Sequence, residues 1–325
     1  METSRIGETD LCVSRVGFGA CAAGGVDYGK VSDDDSIAAI RFALEQGVNF
    51  FDTADVYGFG HSEEVLAKAL GAERNEVVVA TKFGVAWDAT GRTYRDTSTR
   101  YVVAALEASL RRLRLDCIPL YQIHWHDGVT ALEDTLDALE RCRTAGKIRF
   151  YGCSNFSGSM LERAVRAEHM VTLQLPYSLS EIEHAAAADE GVRRFRIGLV
   201  AYNVLARGLL TGKYKEISAF QGSDTRQRDR NFQGGRFNRL LALVDLLEQV
   251  SARYEKSPGQ VAIRWVLDNP NVACALVGVK RVAQIRENLG ALDWKLDSDD
   301  YTRLSLMAAS IAAADHDQES LETTF

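Results

Sequence analysis

Proline is scarce in this chain, with four residues in 325, and the six cysteines (Cys12, Cys21, Cys117, Cys142, Cys153, Cys274) form no CxxC pair. Thiols scattered through apolar runs behave as small hydrophobes. That pattern suits a reducing cytoplasm and argues against a disulfide framework or a zinc site, so no metal is expected. Basic residues are in deficit. A formal charge of −7 argues against nucleic acid or an anionic membrane as the main partner. No apolar run approaches the roughly 20 residues of a membrane span. The N-terminus, METSRIGETD, has neither the basic region nor the apolar core of an export signal. What is present is ordinary: 46% hydrophobic content can bury a large core, in one large α/β domain or two small ones.

Residues 4–14 carry a polar Gly-Glu-Thr-Asp centre between apolar flanks and read as a short hairpin. Strand-like runs then alternate with helical ones. The strands are 12–21, 49–54, 76–84, 117–125, 148–156, 172–178, 196–204 and 272–280. Ser32, followed by three Asp residues and the periodic Ile37, Ile40 and Leu44, opens a helix that stops near Gly47. Ser62 opens another, running to about Gly71, and residues 85–97 read as a long polar loop. From about Thr99, Val103, Leu106, Leu110 and Leu113 share one helical face, and Leu132, Leu136, Leu139 and Cys142 form the next stripe. Gly146 sits where a helix C-cap is expected. Two helices precede the last strand, one lined by Phe237, Leu240, Val244, Leu247 and Tyr254, the other opened by Ser257-Pro258. A final helix spans about 298–310, and residues 311–325 read as a polar, fraying tail of a single domain, 1–325.

Eight apolar strands, each followed by helix, match the count of a (β/α)8 TIM barrel, here with an N-terminal β-hairpin and extra helices near the C-terminus. The alternative is an open doubly wound sheet. That fold calls for a glycine-rich turn leading straight into a helix. GFGACAAGG (17–25) has Ala22 at the third glycine position, and a loop follows it, so the barrel is preferred.

Three strand ends carry ionisable residues: Asp52 in FFDTADVYG, Lys82 in VVVATK and His124 in PLYQIH, with Tyr57 in the loop after Asp52. Barrel strands open on one face, and neighbours lie about 4.8 Å apart, so these side chains can converge. A phenol with a pKa of about 10 is a poor acid near neutrality. An adjacent ammonium favours the phenolate, and a carboxylate can hold that ammonium in place. Lys82 and Asp52 supply the two, and His124 can donate to a carbonyl oxygen or relay a proton. Singly, each residue has an ordinary role as cap, ion-pair partner, loop packer or core histidine. Their placement at equivalent strand ends points to a site.

FDTADVYG, VVVATKFG, LYQIHW, YGCSNF, LQLPYSL, RGLLTGKY and GVK…QIRENLGALDW, in that order over about 5–310, resemble the aldo-keto reductases. The likeness is to the bacterial general-stress branch, which includes the potassium-channel β-subunits. The resemblance implies a barrel that binds NADPH, with NADH possible. It makes Tyr57 the proton donor, Lys82 and Asp52 the pair that lowers its pKa, and His124 the substrate-orienting histidine. Ser154, Asn155 and Gln174 would hold the nicotinamide carboxamide, and Tyr202 would stack on the ring. Backbone N–H groups of Leu205–Leu209, including Gly208, would touch the pyrophosphate, with Lys213 and Arg226 adding charge. Gly278, Lys280, Gln284, Glu287 and Asn288 would take the adenosine end, and Lys280, beside Arg281, would meet a 2′-phosphate. A solvated basic pair at a helix start is the alternative there.

Two departures stand out. His126 replaces the usual proline of HWPD, giving an altered pocket rim, an extra titrating group or a solvent-facing residue. Asn203-Val204 replace Ser-Pro, which would weaken or reshape the cofactor clamp. Tyr28, Trp87 and Trp125 are candidate pocket walls. The implied activity is reduction of a small-molecule carbonyl, an aldehyde or ketone, in the cytoplasm. The alternatives are NAD(P)+-dependent oxidation of a sugar or alcohol, and a cofactor-sensing regulatory subunit with little turnover. Oligomeric state is left open.

Overall fold

Strands apolar on both faces need cover on both faces, and a closed barrel wrapped in helices supplies it. The computed structural model, which describes residues 1–25, 31–167, 169–216, 220 and 224–322, has that form. An antiparallel hairpin, β1 (Thr3–Arg5) and β2 (Cys12–Ser14), precedes β3 (Val16–Gly19). Then come α1 (Asp33–Glu45), β4 (Phe50–Asp52), α2 (His61–Leu70) and β5 (Val78–Phe83). A second hairpin, β6 (Val85–Trp87) and β7 (Thr93–Arg95), leads to α3 (Thr99–Leu113). The chain continues through β8 (Ile118–Ile123), α4 (Leu132–Thr144), β9 (Ile148–Ser154), α5 (Gly158–Ala164), β10 (Met170–Pro176), α6 (Glu183–Phe195) and β11 (Gly198–Tyr202). Helices α7 (Gly234–Arg253) and α8 (Pro258–Asp268), strand β12 (Val272–Gly278), α9 (Val282–Leu289) and α10 (Ser298–Glu322) follow.

Strands β3, β4, β5, β8, β9, β10, β11 and β12 pair in parallel in that order. The ladder from Val16 opposite Ala275 to Gly19 opposite Gly278 joins β12 to β3. The sheet is therefore closed, which excludes the open doubly wound alternative. Phe50, Val78, Ala80, Leu120, Val200 and Cys274 pack in one cluster with Ile6, Leu11 and Val13, so the first hairpin caps the barrel at the starts of its strands. The interior is tight: a Cβ on Gly17 would lie 2.7 Å from Cys274 Sγ and 2.9 Å from Phe50 Cδ1. Helices start where polar side chains take orphan N–H groups. Ser32 accepts from Asp35, Ser98 from Tyr101, and Ser257 forms a capping box with Gln260.

Three expectations need correction. Residues 85–97 are not simply a polar loop; they hold β6 and β7. The turn between them is set by Asp88 Oδ1, which accepts from the N–H groups of Thr90 and Arg92. On α3 the buried stripe begins at Val102, and Val103 is exposed. Both fit a helical period, and only the position of the barrel selects between them. Finally, α10 runs on to Glu322 in place of a tail from 311. Ile311 is buried, and Asp315 pairs with Arg236 and Arg239 of α7. Arg236 is itself buried, and it donates to Asn231 Oδ1 and to the carbonyl of Ser180. Asp315→Ala would deprive that guanidinium of its paired carboxylate while leaving it the Asn231 and Ser180 acceptors. The expected cost is about 2 kcal/mol, read as a lower urea midpoint at unchanged slope.

Candidate active site

The loop that carries Tyr57 is fastened on three sides. Asp55 N–H donates to Lys82 O at 3.2 Å, Tyr57 N–H to Ala54 O at 3.2 Å, and Ser62 N–H to Tyr57 O at 3.1 Å. Gly58 has φ of +62°, and a Cβ there would lie 2.2 Å from Gly24 O, so the 20–24 segment buttresses the loop only because both residues are glycine. Ser62 adds a bond from its hydroxyl to Ala20 O at 2.8 Å.

Beside this loop lies a buried ion pair. Lys82 Nζ donates to Asp52 Oδ1 at 2.5 Å and to Thr53 O at 2.9 Å. The other oxygen of Asp52 accepts from Gln174 at 3.0 Å and Gln122 at 3.4 Å. Lys82 Nζ sits 5.3 Å from the centre of the Tyr57 ring, and the His124 ring meets that phenol edge-on at 5.8 Å. Thus Asp52, Tyr57, Lys82 and His124 come together. Burial, with the charge of Lys82, depresses the His124 pKa to about 3, so the ring is neutral near pH 7. Its Nδ1 is buried without a partner.

Sequence reasoning missed Gln122 and Thr172. Thr172 Oγ1 donates to Gln122 Oε1 at 3.1 Å, extending the polar network behind Asp52. The signal was present: Gln122 stands two residues before His124 and opposite Lys82 in the β5–β8 register, an inward position in an apolar run.

A cleft of about 920 Å³ opens above these residues, lined at or near the C-terminal ends of seven barrel strands by Gly19, Asp52, His124, Ser154, Gln174, Tyr202 and Gly278. Asn155, in left-handed conformation at φ of +63°, bonds Ser154 Oγ and His124 O and accepts the Tyr202 hydroxyl at 2.8 Å. Burial, then Glu181, pushes the Tyr202 phenol up to about 12, so it stays a donor. Leu205 and Gly208 line the cleft, whereas the Leu209 side chain is fully buried away from it. Within this loop the N–H groups of Ala206 and Gly208 are spent on Asn203 O and Leu205 O, and that of Arg207 on Asn203 Oδ1. Asn203 thereby braces a turn whose residues 206, 207 and 208 all have positive φ.

Lys213, Arg226 and Lys280 gather at the far end of the cleft. Burial and the neighbouring Arg226 lower the pKa of both lysines, and Asp224 pairs with Arg226 among them. Cations that destabilise one another in this way favour an anion between them. Close by, Gln284 Oε1 accepts the Lys280 N–H at 2.7 Å and Glu287 accepts the Ser257 hydroxyl. Asn288 Nδ2 is buried without a partner. A cleft that has the polar Ser154, Asn155 and Gln174 on its lining and also gathers anion-favouring charge fits a nicotinamide dinucleotide.

Of the three aromatic pocket candidates, Trp125 lines the cleft, with the Arg95 guanidinium 4.7 Å over its ring. Trp87 packs on Phe59 at 5.6 Å instead and is not among the lining residues. Tyr28 lies outside the described residues. His126 is neither rim nor solvent-facing: its side chain is 7% exposed, and Nδ1 accepts the Gly128 N–H at 3.0 Å as a turn former. Among the described residues, no helix is long and apolar enough to cross a membrane.

The model of the Aldo/keto reductase family matches residues 15–308. Aldo-keto reductase YhdN of Bacillus subtilis (strain 168) is 38% identical, covering 92% of this chain and 91% of that protein. Aldo-keto reductase yakc [NADP(+)] of Schizosaccharomyces pombe is 34% identical, covering 87% and 85%. Among solved structures, the glycerol dehydrogenase AKR11B4 from Gluconobacter oxydans superposes with a TM-score of 0.87 at 35% identity, over 95% of both chains. With its closed barrel and these likenesses along nearly its whole length, the chain belongs to the aldo/keto reductase family, oxidoreductases that use nicotinamide cofactors.

Proposed function

We propose that this protein reduces small aldehydes or ketones to alcohols with NADPH, Tyr57 giving the proton. The observation that carries the proposal is the grouping of Tyr57, the Lys82 ammonium and a neutral His124 at one end of a cleft whose other end gathers cations. The chemistry supplied by the bound cofactor is a hydride for the carbonyl carbon. Tyr57 and His124 direct hydrogen-bond donors at the carbonyl oxygen, where negative charge grows in the transition state. Tyr57 passes its proton to that oxygen, and Lys82, held by Asp52, stabilises the phenolate left behind.

Ser154, Asn155, Gln174 and Tyr202 hold the nicotinamide end. Lys213 and Arg226 serve the pyrophosphate beside the 205–209 loop, whose 206–208 N–H groups bond within the turn instead, and Gly278, Lys280, Gln284, Glu287 and Asn288 serve the adenosine end. The cation group supports NADPH over NADH, as does the NADP(+) in the name of the Schizosaccharomyces pombe relative. One observation favours the reverse direction: the relative from Gluconobacter oxydans is named a glycerol dehydrogenase, and the same groups run backwards would oxidise an alcohol. Six free thiols are consistent with a cytoplasmic site of action.

Tyr57→Phe is expected to lower carbonyl turnover by about a hundredfold or more, with NADPH affinity by fluorescence titration little changed; full turnover in the variant would remove Tyr57 as donor. Lys280→Ala should weaken NADPH by roughly tenfold and NADH far less. Equal losses would show that Lys280 does not read the 2′-phosphate. Because His124 takes a proton only near pH 3, kcat/KM should be flat from pH 5 to 7. An acid limb near pH 6.5 that disappears in His124→Gln would contradict a neutral ring.

A further inference from the structure

One cation beside the catalytic residues takes no part in the reaction above: Arg95, on the β6–β7 hairpin. In that hairpin Val85 pairs with Arg95 and Trp87 with Thr93. Residues opposite one another, and residues two apart along a strand, share a face, so Trp87 and Arg95 stand on the same side. Trp87 packs on Phe59 at 5.6 Å, and Phe59 lies two residues beyond Tyr57. Arg95 lies 4.7 Å over the ring of Trp125, the residue after His124. One face of the hairpin therefore reaches from the Tyr57 loop to the His124 strand end, and the Tyr57 and His124 rings are 5.8 Å apart. Gly84 permits the close approach: its φ is +105°, and a Cβ there would lie 2.6 Å from Trp125 O.

Arg95 is exposed, and among the described residues its guanidinium has neither an ion pair nor a hydrogen bond. The acids nearest to it in the chain spend oxygens on backbone donors instead. Asp88 takes the N–H groups of Thr90 and Arg92, and Asp96 that of Ser98. Asp127 takes those of Thr97, Val129 and Thr130. Cation–π attraction holds the guanidinium against the indole, and its N–H donors stay available. An arginine in that state is pre-organised for a carboxylate, which it can take with two parallel bonds. Trp125 is 37% exposed and lines the cleft beside Tyr57 and His124. A substrate whose carbonyl meets His124 can extend along this ring toward the guanidinium.

We propose that Arg95 is a specificity-determining residue that binds a carboxylate on the substrate, so that short aldehyde or keto acids are preferred to neutral carbonyls. The chain length follows from the sequence neighbours, since the ring under Arg95 belongs to the residue next to His124. The charge argues for a carboxylate over a phosphate. One guanidinium balances one negative charge, whereas the part of the cleft that favours phosphate gathers Lys213, Arg226 and Lys280. The Trp125 ring covers the apolar carbons between carbonyl and carboxylate. This inference rests on carbonyl reduction as the reaction and names its substrate class.

Succinic semialdehyde and its methyl ester differ in that one charge, and steady-state kinetics with NADPH compares them. The acid is expected to have the higher kcat/KM by roughly tenfold or more. Most of the difference should lie in KM, because the carboxylate bond is made in ground and transition states alike. Added salt should shrink it, since the guanidinium is exposed. Arg95→Gln should bring the two kcat/KM values together, and Arg95→Lys, which keeps the charge without the planar fork, should recover part of the ratio. A role in holding the hairpin alone would lower both substrates alike and leave the ratio standing. Equal kcat/KM for acid and ester in the parent, or a preference that survives Arg95→Gln, overturns the proposal. The parent comparison needs no variant, so it decides even if Arg95→Gln does not fold. A binding arm separates the proposal from the reaction beneath it. NADP+ has no hydride to give, so succinic semialdehyde titrated calorimetrically into the protein with NADP+ reports affinity without turnover. Binding about tenfold weaker in Arg95→Gln supports the carboxylate site; equal binding, or none in the parent, overturns it. Binding that depends on Arg95 without turnover of either aldehyde would sink the reductase reading and leave the carboxylate site in place.

Discussion

An ammonium and a carboxylate stand 2.5 Å apart inside a barrel of apolar strands, with Lys82 1% and Asp52 4% exposed. Removing such ions from water costs several kcal/mol each, and their mutual attraction offsets this only if the remaining valences are satisfied. They are. Lys82 has a second acceptor in Thr53 O, and Asp52 takes amide donors from β8 and β10. The pair thus binds strands from opposite sides of the barrel, and its integrity sets where the cation lies relative to the Tyr57 ring. Losing either partner would leave an uncompensated buried charge, so the proposed chemistry and the local fold rest on the same contact.

Locally unfavourable features collect around this point. His124 carries an unpaired buried nitrogen, and Asn155, Asn203, Ala206 and Arg207 hold left-handed backbone. Three cations share one end of the cleft, and Asp55 lies buried behind the loop. Strain of this kind persists only when the surroundings over-determine it. Here they do: the strands are locked in closed register, and the loops are braced by Ser62, Gly24 and Asn203 side chain or backbone contacts. The rigid barrel supports a site that would not hold its shape alone.

The eight barrel strands and their helices were legible in the sequence because period and punctuation are local properties. The apolar stripe from Leu132 to Cys142 and the Ser257-Pro258 start appear where the pattern put them. The β6–β7 hairpin was not, since three-residue strands of mixed polarity carry too little pattern to stand out from a loop. The end of α10 was missed for a different reason. Residues beyond 310 lack an apolar stripe, and the helix is held there in part by Asp315 reaching arginines some 76 and 79 positions earlier in the chain.

The sequence by itself determined the types of the barrel's own elements, the order of its strands and the identity of the polar residues at their ends, because each follows from neighbours a few residues apart. Only tertiary structure decided that the sheet closes between β12 and β3, and that Val102 rather than Val103 faces the barrel. It also brought Gln122, Gln174 and Lys82 onto one carboxylate, and placed Trp125 on the cleft but Trp87 away from it. These outcomes depend on contacts between segments far apart in the chain. Such contacts form only when the whole barrel is assembled, and no local period records them.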